Sequence, residues 1–178
     1  MRVIVCALAL CAFPAAAFCQ DRASSRVAQA FSGIDWSGLY LGGGAAYLGA
    51  GGGSNAAGSI FAGYSFDAGP GIAGLETGLI LSDVRTDTGE RLNSMVDLRG
   101  RIGVAFDRFQ FYGTGGAVWS PYGNRTDTGY AAGAGVDWAA TGQTFWGLQY
   151  VRYAFPNFRN TGNTLEVDLI SGRISYKF

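Results

Sequence analysis

The chain contains no histidine, so it lacks the commonest general base and metal ligand. Its three cysteines, Cys6, Cys11 and Cys19, all fall in the first nineteen residues. The remainder of the chain is thiol-free, which excludes disulfides, zinc–thiolate sites and thiol catalysis from it. Net charge is also missing: 13 Lys plus Arg balance 13 Asp plus Glu, leaving no electrostatic case for a nucleic-acid partner. Proline is scarce at 4 residues, and beyond the amino-terminal stretch no apolar run is long enough for a spanning helix. A mature chain that enters a membrane must then do so as a closed barrel, because only closure satisfies every backbone group in hydrocarbon.

Glycine is abundant, at 29 residues, and aromatics make up 14% against 15% charged residues. That balance suits strands with crowded faces better than a solvated helical domain. The first residues form an address. Met1-Arg2 starts positive, Val3 to Ala17 is almost unbroken apolar sequence, and Ala15-Ala16-Ala17 offers small residues to a signal peptidase. Cleavage after Ala17 and after Cys19 both remain open. Acylation of Cys19 is disfavoured by Phe18, which stands where a small residue belongs. The reading is a signal peptide over 1–19, a polar lead-in over 20–35 and a barrel over 36–178.

From Trp36 onward the dominant signal is alternation with period two, the mark of strands with two unlike faces. In 95–106, Asp97, Arg99 and Arg101 share one face, and Val96, Leu98, Ile102, Val104 and Phe106 share the other. The end of the chain sets Ile170, Ile174, Tyr176 and Phe178 against Ser171, Arg173, Ser175 and Lys177. Alternation predicts strands near 37–48, 57–67, 71–82, 94–106, 108–120, 128–139, 143–155 and 164–178. Each is close to or above the ~9–11 residues of a tilted bilayer crossing. The connections 67–71, 107–108 and 140–143 are tight. Those at 49–56, 83–93, 121–127 and 156–163 read as longer loops. The pattern predicts an all-β, eight-stranded antiparallel up-and-down transmembrane barrel with both termini on the periplasmic side.

Cost decides which face meets lipid. An outward Arg at the bilayer midplane costs ~2–4 kcal/mol, so the charged face must line the lumen. Glu76, Asp97, Arg99, Arg101, Asp137 and Arg173 form a candidate lumen network, with Gln110 and Tyr112 beside them. Runs such as Gly42-Gly43-Gly44 and Gly113-Thr114-Gly115-Gly116 leave room for long inward groups. Two aromatic girdles are expected, Phe106, Trp138, Tyr176 and Phe178 at one level and Tyr47, Trp119, Tyr130 and Tyr153 at the other. In the seventh strand Arg152 shares parity with Leu148 and Tyr150, which requires a bulge or an Arg reaching the surface. Asp87-Thr88-Gly89 and Asp127-Thr128-Gly129 echo the paired motif of aspartic proteases, but both fall in predicted loops, without the buried cleft that chemistry needs.

Particular residues carry a family resemblance. Trp36-Ser37-Gly38-Leu39-Tyr40-Leu41-Gly42-Gly43, LRGRIGVAFDRFQFYGTGGAVW at 98–119, TGYAAGAGVDWA at 128–139 and the terminal Arg173 to Phe178 resemble the small alphaproteobacterial outer-membrane antigen barrels, a group labelled porin-family. Leu148 to Arg152 departs from that group's usual Glu-Tyr-x-Tyr pattern. The resemblance implies a non-enzymatic structural protein and surface antigen of a Gram-negative outer membrane, with a narrow diffusion channel as the alternative. It also implies lipid and lipopolysaccharide as surroundings, and periplasmic chaperones and the barrel-insertion machinery as partners. Ile174, Tyr176 and Phe178 would be the signal read by that machinery. No cofactor or metal is expected, and a host or surface ligand is left unnamed.

Overall fold

The computed structural model describes residues 33–50, 53–67, 71–85, 91–122, 125–156 and 164–178. The signal stretch, nearly all of the lead-in and the Asp87 to Gly89 motif lie outside the described residues, and Asp127 to Gly129, expected in a loop, lies in a strand. Eight strands succeed one another: β1 (Gly38–Ala50), β2 (Gly53–Asp67), β3 (Ile72–Arg85), β4 (Arg91–Phe106), β5 (Phe109–Tyr122), β6 (Arg125–Ala139), β7 (Thr144–Phe155) and β8 (Leu165–Lys177). Each pairs antiparallel with the next, and β8 pairs back onto β1, closing the barrel. Closure removes the free edges that an open sheet would present to lipid.

The β4–β5 turn is a two-residue hairpin in which Phe106 opposes Phe109. Its Asp107 takes φ 50°, a left-handed conformation that Asp tolerates better than most side chains. At the opposite end the strands run further than their polar composition indicates. Only 51–52, 86–90 and 123–124 separate β1 from β2, β3 from β4 and β5 from β6, where loops of seven to eleven residues were expected. The strands reach 12 to 16 residues, more than the ~9–11 of a bilayer crossing.

The faces explain this extension. Across the middle of the barrel, Leu75, Leu98, Ile102, Val104, Leu148, Ile170 and Ile174 point outward and are exposed, while charged residues point inward. Towards the end away from the termini the pattern reverses. On β8, Glu166 and Asp168 point outward, whereas Val167 and Leu169 are buried inside. A strand surrounded by lipid turns its apolar side out, and one surrounded by water turns it in. The reversal therefore marks where the barrel leaves the bilayer, and beyond it polar residues are compatible with strand.

Candidate functional site: a lumen filled in three layers

The barrel interior has three levels. At the end carrying the termini, Trp36, Ile72, Ala139 and Phe145 form an apolar plug, with Ile34 and Ala105 packed against it. The Trp36 and Phe145 rings lie 4.9 Å apart. The segment holding Trp36 is fastened from below. Asp35 accepts bonds from the Ser37 N–H at 2.9 Å and the Ser37 hydroxyl at 2.5 Å, and Lys177 Nζ lies 3.2 Å from its other carboxylate oxygen. Burial raises the Asp35 carboxyl, but the Ser37 bonds and the Lys177 charge outweigh it and hold the group below its ordinary value. Alternation misses this plug because Trp36 precedes the first strand.

The middle level holds the ions. Glu76, whose side chain has no exposed surface, opposes Arg99 in the β3–β4 ladder. One of its oxygens lies 2.8 Å from Arg99 Nη2, and the other lies 3.1 Å from Arg101 Nη1 and pairs with Arg173 Nη2 from β8. Arg101 Nη2 reaches Asp137 Oδ2 on β6 at 2.6 Å. Asp97 lies beside Arg99 Nε at 3.2 Å and accepts a 2.8 Å bond from the Tyr153 hydroxyl. Arg99 also donates to Gln149, which donates in turn to the Tyr112 hydroxyl. Three guanidinium groups thus meet three carboxylates, all buried. Stacking supports them: Arg101 lies 3.7 Å from the centre of the Tyr112 ring, and Arg173 lies 3.8 Å from that of Phe61.

All six charged candidates, Glu76, Asp97, Arg99, Arg101, Asp137 and Arg173, stand in this one cluster, and Tyr112 joins it. Gln110 is buried on the same side, beside a cavity rather than within the ion pairs. Tyr40, Gln149 and Tyr153 are further members that sequence reasoning missed. Tyr153 corrects an expectation: it points into the lumen with 1% exposure and belongs to no girdle. The register decides this, because β7 pairs without a bulge on both sides, so outward Arg152 makes Tyr153 inward. Tyr47 and Tyr130 do point outward at that level, as Phe106, Trp138, Tyr176 and Phe178 do at the other.

Glycines give the missing signal for the network. Tyr40 opposes Gly63, Asp97 opposes Gly78, Arg99 opposes Gly116, Tyr112 opposes Gly135, and Asp137 opposes Gly147. A Cβ on Gly135 would stand 2.5 Å from Tyr112 Cζ, one on Gly78 2.8 Å from Asp97 Oδ1, and one on Gly147 2.9 Å from Arg173 Cγ. Each bulky inward group lies over a neighbour without a side chain. Only inward glycines serve this purpose. Gly113 and Gly115, expected to make room inside, face outward and are uncrowded.

The third level is apolar again. Leu48, Ile80, Met95, Val118, Val151, Phe155, Val167 and Leu169 pack inside the end away from the termini. The buried ion pairs are therefore concentrated in the middle, while Ser65 and Gln110 are buried nearer the end carrying the termini and Ser120 nearer the other. A cavity of about 20 Å³ borders Asp97, Arg99, Tyr153 and Arg173, and another of about 20 Å³ borders Trp36, Arg101, Asp137 and Lys177. Each has room for about one water molecule and none for a hydrated solute. Among the described residues no cluster of three or more His, Cys, Asp or Glu side chains is arranged to hold a metal ion.

A closed eight-stranded barrel with an apolar lipid-facing wall and a filled interior is the architecture of small outer-membrane barrels. The profile of the family described as outer membrane protein beta-barrel domain matches residues 3–178, and the chain belongs to that family. Among solved structures it is similar to neisserial surface protein A (NspA), with a TM-score of 0.52 and 13% identity over 79% of this chain and 96% of that one. At that identity the likeness extends to the fold alone. Ail, the attachment invasion locus protein of Yersinia pestis, aligns at a TM-score of 0.48 and 16% identity over 80% of this chain and 97% of that one, too distant to carry an argument. A search of the curated proteins finds no match.

Proposed function

We propose that the chain is a non-enzymatic structural barrel and surface antigen of a Gram-negative outer membrane, exported by a cleaved signal peptide, and that its lumen conducts neither ions nor solutes. The observation that carries this reading is the layering of the interior: apolar residues stand at both ends of a charge-balanced ion network. An ion entering from the end away from the termini meets buried apolar side chains, and one passing Lys177 and the Trp36 plug meets a cavity with room for about one water molecule before the charge-balanced network, so on either side it must shed its hydration, which is costly. The narrow-channel alternative needs a continuous polar path, and the three-layered filling argues against one.

Outer-membrane lipid and lipopolysaccharide surround the wall in this reading. Periplasmic chaperones and the insertion machinery handle the chain before it folds. Ile174 and Tyr176, on the outward face of β8, and the adjoining Phe178 form the assembly signal. Planar-bilayer recording of the refolded chain is the test: silence is expected, and steady single-channel steps would replace this reading with the channel.

A further inference from the structure

Every ladder but one joins strands that follow one another in the chain; the β1–β8 seam joins its two ends. No turn holds that seam together, and its middle is poor in side chains. Gly42, Gly43 and Gly44 oppose Ser175, Ile174 and Arg173. These successive positions carry no cross-strand side-chain pair, the unit that stabilises a sheet beyond its backbone bonds. An unpaired backbone group is costly in hydrocarbon, so such a seam opens by fraying from an end that reaches water.

Residues 34–37 lie across the seam at the end carrying the termini. They lead directly into β1, yet they reach β8 and β7. Asp35 pairs with Lys177 of β8 at 3.2 Å, and Lys177 Nζ also donates to the Asp35 carbonyl. Trp36 reaches past β8 to the Phe145 ring of β7, and Phe145 opposes Ser175 across the β7–β8 ladder. The Phe178 N–H donates to Leu39 O at 3.0 Å and closes the same end. Gly38, the first residue of β1, makes the bend into the wall: its φ of 128° is a conformation that residues with a side chain rarely adopt. Trp36 is held by packing alone, because its indole N–H is buried and finds no partner among the described residues.

We propose that residues 34–37 are a strap that locks the β1–β8 seam, supplying from inside the barrel the connection that the topology withholds. The Asp35–Lys177 pair fixes the strap to β8, and the Trp36–Phe145 stack fixes it to β7. For β1 to leave β8 at this end, both contacts must break. Fraying of the β4–β5 hairpin at the same end breaks neither. The strap acts whether or not the lumen conducts, so its failure would leave the sealed-lumen reading untouched.

Amide hydrogen exchange, read by NMR on the chain refolded in detergent and checked by heat-modifiable migration, tests the strap. The reporters are the Phe178 N–H and the other amides of 173–178 that face β1. Amides of 103–106 and 109–112, in the β4–β5 hairpin, are the comparison. Trp36→Ala should speed exchange at the seam about a hundredfold, the scale of losing a buried aromatic side chain. Gly38→Ala should speed it about tenfold through backbone strain. Asp35→Asn should speed it at most about fivefold, because the pair is partly exposed. Trp36→Phe keeps the stack and should exchange as the parent does, and the β4–β5 amides should not change in any variant. Should Trp36→Ala fail to fold, Gly38→Ala and Asp35→Asn carry the test. Seam exchange unchanged in folded Trp36→Ala, or in Gly38→Ala, overturns the strap. Equal acceleration in both ladders also overturns it, because the segment would then stabilise the barrel as a whole and not its seam.

Discussion

Replacing Glu76 with Ala removes the one carboxylate shared by three guanidinium groups. Arg99, Arg101 and Arg173 would then face only Asp97 and Asp137, leaving one positive charge buried without compensation. Removing one partner of a buried ion pair costs ~3–5 kcal/mol. The value here should fall in the upper part of that range, because Glu76 has no exposed surface and each oxygen accepts more than one bond. The comparison is Asp168→Asn, which breaks an exposed pair whose loss costs ~0–1 kcal/mol. Urea unfolding of the two variants in the same detergent, followed by tryptophan fluorescence and by migration on unheated gels, measures both. A midpoint for Glu76→Ala no lower than that for Asp168→Asn would refute the network. Glu76→Gln separates charge from shape: it keeps the side-chain volume and should recover only part of the loss.

Gly135→Val should destabilise the barrel by ~1–3 kcal/mol through overlap with the Tyr112 ring, while Gly115→Val on the uncrowded outward face should stay within about 0.5 kcal/mol, both read from urea midpoints. Deleting Phe178 should lower the amount of protein in the outer-membrane fraction and leave unfolded chain to periplasmic proteolysis; unchanged abundance counts against the assembly signal.

Strand existence and parity were legible in the alternation. Asp97, Arg99 and Arg101 could lie on only one side of β4, and lipid makes that side the inside. Parity left Arg152 either beside a bulge or reaching the surface; β7 pairs without a bulge, so it reaches the surface, and the structure supplies Asp168 as its partner. The upper third of the lumen was not legible. Val167 and Leu169 share the inward parity of Ser171 and Arg173, but nothing local distinguishes their level, where the apolar side turns inward, from the charged level below it. Tyr153 was misassigned because the parity of β7 stayed open until its register was known, and the polar strand ends near 53–56 and 125–127 read as loops by composition. The Trp36 plug was hidden for a different reason. Its contact with Phe145 joins residues over a hundred positions apart, and no local pattern reports such a contact.

The central claim is that the interior is sealed, and single-channel recording of pure, refolded, heat-modifiable protein addresses it most directly. The layered filling predicts a silent membrane with only rare small events, and no change of that state on Trp36→Phe, which keeps the plug aromatic. Reproducible conductance steps whose ion selectivity shifts on Arg99→Ala or Arg101→Ala would contradict the account, because they would place those guanidinium groups along an open path.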